Sequence, residues 1–198
     1  MASTPYWGRL VVKSRPFLKG AEAHNISTFA FIKTRHFLLL FFLSAFEDSH
    51  TYLQSGNLLW QSDEHLPNAE WASRLRKHII SHFEIDVPCM VFNKLEWKAI
   101  LDAHPWKDIA NADPSKSIVT LMPEALETLS IDELLPYAKS DDLVYHHPPA
   151  LYLYLPEGMG KSKLDNKRME KWSGVNCTGR NWRSMNTLMK LSEDKFSE

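Results

Sequence analysis

The sequence predicts an α+β fold of two ferredoxin-like halves, each a split β-α-β unit, packed together with the second half incomplete. Three features point there. β-branched and apolar runs of strand length recur along the chain, helices with a single apolar stripe stand between them, and a tight-turn signal separates the middle strands of the first half.

Leu10-Val11-Val12 reads as the opening strand, after which Ser27 or Thr28 is placed to cap a helix that ends near Phe46. Thr51 to Gln54 and Asn57 to Trp60 flank Ser55-Gly56, where glycine supplies the positive φ of a two-residue hairpin turn. Beyond Pro67, Asn68 is placed to cap a helix in which Trp71, Leu75, Ile79 and Phe83 recur every four residues, so they share one buried stripe. Val87 to Phe92 closes this half as its last strand.

Asn93 and Glu96 form a capping-box pattern for a helix that buries Trp97, Ile100 and Leu101 and ends before Pro105. Ser117 to Met122 reads as a strand, Pro123 starts a short helix, and Ser130 with Glu133 offers a further capping box. Leu143 to His146 and Leu151 to Leu155 bracket the Pro148-Pro149 turn, a helix runs from about Lys163 to Trp172, and a last one from about Asn181 to Leu191. No closing strand stands out in this half. The expected division is 1–92 and 93–198; without a Pro/Gly/Ser linker, the two pieces pack closely or merge into one integrated domain.

With 198 residues, 44% of them hydrophobic, the chain can bury a real core. The net charge is −1, so no global field draws it to nucleic acid or to an anionic membrane. Charge is nevertheless segregated: up to Glu157 there are 14 basic and 19 acidic residues, and after it 9 and 5. Any polyanion surface therefore belongs to the C-terminal fifth.

Cys89 and Cys177 lie far apart with no CxxC spacing, which indicates neither a disulfide scaffold nor a zinc knuckle and fits a reducing cytoplasm. The apolar run Phe37 to Phe46 is half the roughly 20 residues that a bilayer requires. Arg9, Lys13, Arg15 and Lys19 in an opening free of acids faintly echo a transit peptide, although Leu10-Val11-Val12 reads more simply as a strand. No catalytic triad, nucleophile elbow, cofactor fingerprint or metal-ligand spacing occurs, so no cofactor is expected and no particular reaction is indicated.

Gly158-Met159-Gly160-Lys161-Ser162 lies between a strand and a helix, where backbone N–H groups and a helix N-terminus can meet an anion. The full phosphate-loop pattern needs a glycine where Leu155 stands, so a looser anion site using Lys161, Ser162 and Lys163 is weighed against a bare turn. Arg180, Asn181 and Trp182 join it as candidates: Arg180, with Arg183, as a cation, and Trp182 as a stacking face. The plain alternative makes Asn181 a helix cap and Trp182 a core anchor. Lys167, Arg168 and Lys171 widen such a patch or form a solvated helix face, and Gln54, Ser55 and Asn57 are secondary candidates at a hairpin tip. His78 with His82 and His146 with His147 lack a third metal ligand, and Cys89 reads as an inert thiol.

The segments TYLQSGN (51–57), LYLYLPEGMGKSKL (151–164) and TGRNW (178–182) followed by LMKL (188–191) together resemble the uncharacterised family DUF1697. The resemblance spans roughly Thr51 to Leu191 and implies the same two-half fold but hardly any chemistry. It departs at the N-terminus, where Arg15-Pro16-Phe17-Leu18 replaces the family's glycine-containing opening. The expected function is a cytoplasmic binding protein that takes a phosphorylated small molecule or single-stranded nucleic acid on its C-terminal part. A small-substrate enzyme with a site between the halves and a protein-interaction module are the alternatives.

Overall fold

The computed structural model describes residues 6–12, 50–52, 57–62, 64–84, 86–123, 126 and 129–195. The helix expected to end near Phe46, the Ser55-Gly56 turn and most of the short helix from Pro123 lie outside them. The chain divides into two compact units, Met1–Lys94 and Leu95–Glu198, each combining helix with a four-stranded antiparallel sheet.

In the first unit, β1 (Tyr6–Val12), β2 (His50–Tyr52), β3 (Asn57–Ser62) and β4 (Cys89–Asn93) lie in the order β2-β3-β1-β4. β1 pairs Leu10 with Leu58 on one side and with Val91 on the other, so these positions share a face. Helix α1 (Asn68–Phe83) covers that face, and its stripe is confirmed: Trp71, Leu75 and Ile79 are buried, with Trp71 edge-on to Trp60 at 5.6 Å. The side chain of Phe83 lies outside the described set. The expected cap is corrected by one residue. Pro67, held extended at φ −56° and ψ 145°, is the N-cap; its carbonyl accepts from the N–H groups of Glu70 and Trp71, and Asn68 is already helical.

In the second unit, α2 (Lys94–Asp102) and α3 (Lys107–Ala112) precede β5 (Ser117–Leu121). β6 (Leu143–His147), β7 (Ala150–Tyr154), α4 (Asn166–Ser173), β8 (Thr178–Asn181) and α5 (Trp182–Lys195) follow. The sheet order β6-β7-β5-β8 repeats that of the first unit, which corrects the expectation that this half lacks a closing strand. The strand went unseen because Thr-Gly-Arg-Asn has no apolar alternation; pairing with β5 makes it a strand. The helix expected after Ser130 is instead two 3-10 turns, Ile131–Glu133 and Leu135–Tyr137. Ser130 does cap the first, accepting from the Asp132 N–H at 3.2 Å, but Pro136 brings no N–H to continue an α-helix.

Every β5 side chain is buried, because the strand sits in the middle of the sheet with both faces covered. On one face, Ile118, Leu151 and Leu153 pack with Leu164, Met169 and Cys177. On the other, the Tyr152 hydroxyl donates to the Ile100 carbonyl of α2 at 2.7 Å, and His104 meets the rings of Tyr152 and Trp182 at 5.1 and 4.5 Å. His104 Nδ1 accepts from the Trp106 N–H at 3.1 Å, which fixes the neutral ring with its proton on Nε2. Burial, helped by the charge of Lys107, pushes its pKa down to about 4.

Between pH 6.5 and 4 the unfolded chain therefore holds a proton at this position that the folded one refuses, so stability falls as pH drops through that window and levels off below it. Urea unfolding of the wild type and of His104→Asn, which keeps an acceptor for Trp106 but does not titrate, is expected to diverge by roughly 1–2 kcal/mol across the window after allowance for solvent screening. Parallel curves contradict this assignment.

Candidate functional site

The pairing of Ser117 with Tyr154 and of Leu143 with Tyr154 brings the start of β5, the start of β6 and the end of β7 to one end of the second sheet. The Leu155 N–H donates to the Lys116 carbonyl at 3.0 Å and extends the match by a residue. The chain then turns at Gly158, whose φ of +87° suits a residue without a Cβ, into a 3-10 turn over Met159–Lys161. Lys116 Nζ donates to the Pro156 carbonyl at 2.9 Å, and a Cβ on Gly158 would stand 3.4 Å from that same Nζ.

Lys139 Nζ meets Glu157 Oε2 at 2.6 Å. That hydrogen bond and charge, with Lys161 and Lys116 adding theirs, hold the Glu157 carboxyl below the usual range. Lys139 thus pairs with an exposed carboxylate that also feels the charges of Lys161 and Lys116. Asp142, also at this end, is engaged by the Lys139 backbone N–H at 2.9 Å.

The candidates read from the sequence separate at this point. Lys161 and Lys163 are exposed, whereas the Ser162 hydroxyl is used locally and accepts from the Leu164 N–H at 3.0 Å. Helix α4 does not follow the glycine turn directly: Asp165 caps it, with Oδ1 accepting from the Arg168 N–H at 2.9 Å, so a carboxylate already occupies the position where a phosphate loop would hold its anion.

Arg180 is the main correction. Opposite Val119 in the register, it points into the core with 9% of its surface exposed, and Nη1 donates to Thr178 Oγ1 at 2.7 Å and to the Gly179 carbonyl at 2.8 Å. Burial pushes its pKa down to about 10. Trp182 is buried as well and donates from Nε1 to Asn111 Oδ1 at 2.8 Å, which makes it an anchor with no open face for a base. Asn181 is the expected cap, its Oδ1 accepting from the Ser184 N–H at 2.9 Å.

Among the remaining candidates, Gln54 and Ser55 lie outside the described residues, and Asn57 is buried inside β3. Lys167 and Lys171 are exposed on α4, while Arg168 lies over the Tyr137 ring at 3.6 Å. His146 and His147 take opposite faces of β6, against Trp172 and Tyr145, and so cannot share an ion. Among the described residues no three His, Cys, Asp or Glu side chains are grouped to hold a metal. Cys89 is pushed up to about 12 by burial, as an inert thiol requires. Sequence reading missed Lys116, Lys139 and Glu157, since only the strand pairing makes them neighbours of Lys161.

The family described as "Protein of unknown function (DUF1697)" matches residues 25–152. The match begins further toward the N-terminus than the motifs did and stops short of most of the 151–164 motif and of the C-terminal one. No curated protein matches the chain. Among solved structures, the conserved bacterial protein SP0830 from Streptococcus pneumoniae is similar, with a TM-score of 0.59 and 14% identity, over 95% of this chain and 99% of that one. At that identity the likeness shows the fold alone.

The two kinds of cation differ in what they do for folding. Arg180→Ala is expected to cost about 2–3 kcal/mol in urea unfolding, and Lys161→Ala less than about 0.5 kcal/mol. Similar small losses in both variants contradict the buried structural role of Arg180.

Proposed function

The chain belongs to the DUF1697 family, and from that premise we propose that it is a cytoplasmic binding protein whose second unit takes a phosphorylated small molecule at the strand end formed by Lys116, Lys139 and Lys161. The carrying observation is that the Glu157 carboxylate pairs with Lys139 and is held down further by the charges of Lys161 and Lys116. Ammonium groups from separate segments are the donors that a phosphate needs, and Lys161 remains exposed to meet one. The family itself brings no chemistry to this reading.

We further read both units as ferredoxin-like; the order β2-β3-β1-β4 and its repeat β6-β7-β5-β8, antiparallel throughout, support this. Two free cysteines, and the finding that no helix among the described residues is long and apolar enough to cross a membrane, are compatible with the cytoplasm. Single-stranded nucleic acid is less favoured. Readers of that class stack bases on aromatic side chains of an open sheet face, whereas Tyr152 and Trp182 are buried here.

Isothermal titration with pyrophosphate at low salt is expected to give a Kd on the order of 0.1–1 mM, at least tenfold weaker in Lys116→Ala/Lys161→Ala and weaker for every variant as salt is raised. Glu157→Gln, which removes the competing carboxylate, is expected to bind a few-fold tighter. Absence of heat at about 10 mM pyrophosphate, or equal affinity in the double variant, overturns the proposal. A short oligothymidylate bound equally by both proteins would instead favour a nucleic-acid surface elsewhere.

A further inference from the structure

Away from the strand end, α2, α3 and α5 line an open cleft of about 360 Å³, near the lower end of the range for small-molecule sites. Its ionic lining is balanced. Lys98 and Lys107 face Asp102, with Lys107 Nζ at 3.7 Å from Oδ1, and Glu193 supplies the second acid. A charge-neutral lining whose lysines share a carboxylate gives an anion little net attraction, so this cleft suits a different ligand from the one proposed for Lys116 and Lys161.

Two asparagines define what that ligand presents. The Trp182 indole N–H can only donate, so Asn111 must turn Oδ1 toward it, at 2.8 Å. The Trp182 backbone carbonyl can only accept, so Asn186 must turn Nδ2 toward it, at 2.9 Å. These bonds fix both amide orientations and leave Nδ2 of Asn111 as donor and Oδ1 of Asn186 as acceptor. Both residues are exposed and both line the cleft. Leu101 and Met189 supply apolar wall beside them.

We propose that this cleft is a second binding site, for a neutral planar molecule that carries an acceptor and a donor on one edge, as a primary carboxamide or a lactam does, joined to an apolar ring. The acceptor takes the Asn111 amide proton, the donor bonds Asn186 Oδ1, and the ring covers Leu101 and Met189. Trp182 acts as a positioning residue: through its two hydrogen bonds it holds both amides in the orientation that reads the edge.

The test is a titration of the ¹⁵N-labelled full chain with nicotinamide, following the Trp182 indole signal, assigned with Trp182→Phe, and the side-chain amides of Asn111 and Asn186. Saturable shifts of all three are expected, with a Kd on the order of 1–10 mM. N,N-dimethylnicotinamide, which lacks the donor, and the variant Asn186→Ala, an exposed helical site where alanine is well tolerated, are each expected to weaken binding about tenfold. Pyrophosphate is expected not to compete, so success or failure here is independent of the strand-end lysines. Unmoved signals up to about 50 mM nicotinamide, or equal shifts from the dimethyl compound, overturn the proposal.

Discussion

The second unit depends on β5 being held between β7 and β8. A strand with neighbours on both edges and cover on both faces has no solvated side, and all five of its side chains are buried. Its register then fixes everything beside it: Val119 lies between Tyr152 and Arg180, and Ile118 between Leu153 and Asn181. A slip of one residue would exchange the two faces, setting Arg180 against the apolar cluster of Ile118 and Leu153. The same register decides which cations are structural. Those inside the ladder, such as Arg180, are buried and bonded to β8 itself, and those just beyond its end, Lys116 and Lys161, reach the surface.

Much of this fold was legible because the periodic signal and the burial coincide. LYLYL and the run from Ser117 are apolar enough to declare core strands, and the four-residue spacing of Trp71, Leu75 and Ile79 declared the covered face of α1. Legibility failed where local chemistry carries no pattern. β8 buries a threonine and an arginine in place of apolar residues, Pro136 limits the segment after Ser130 to short turns, and Pro67 takes the capping position that Asn68 appeared to hold by type.

The candidate site was legible only in part, for a related reason. The segments on which the resemblance rested are largely architecture: a buried strand, a turn through Gly158, a closing strand and a helix cap. Lys161 could be singled out from the glycine turn. Lys116, Lys139 and Glu157 come from separate stretches, and nothing short of the folded chain brings their charges to one strand end. Arg180 was misassigned because arginine is rarely buried; here the neighbouring Thr178 hydroxyl and Gly179 carbonyl receive its N–H groups.

On the function proposed above, register divides the cations of the second unit into an inner structural arginine and an outer set of lysines that hold an oxyanion. Crystals of the full chain soaked in tungstate test it directly, since the anion scatters anomalously and its position is read without assumption about the ligand. A peak is expected within hydrogen-bonding distance of Lys116 and Lys161 Nζ, with Glu157 displaced. A peak at Arg180, or tungstate bound only elsewhere on the molecule, contradicts it.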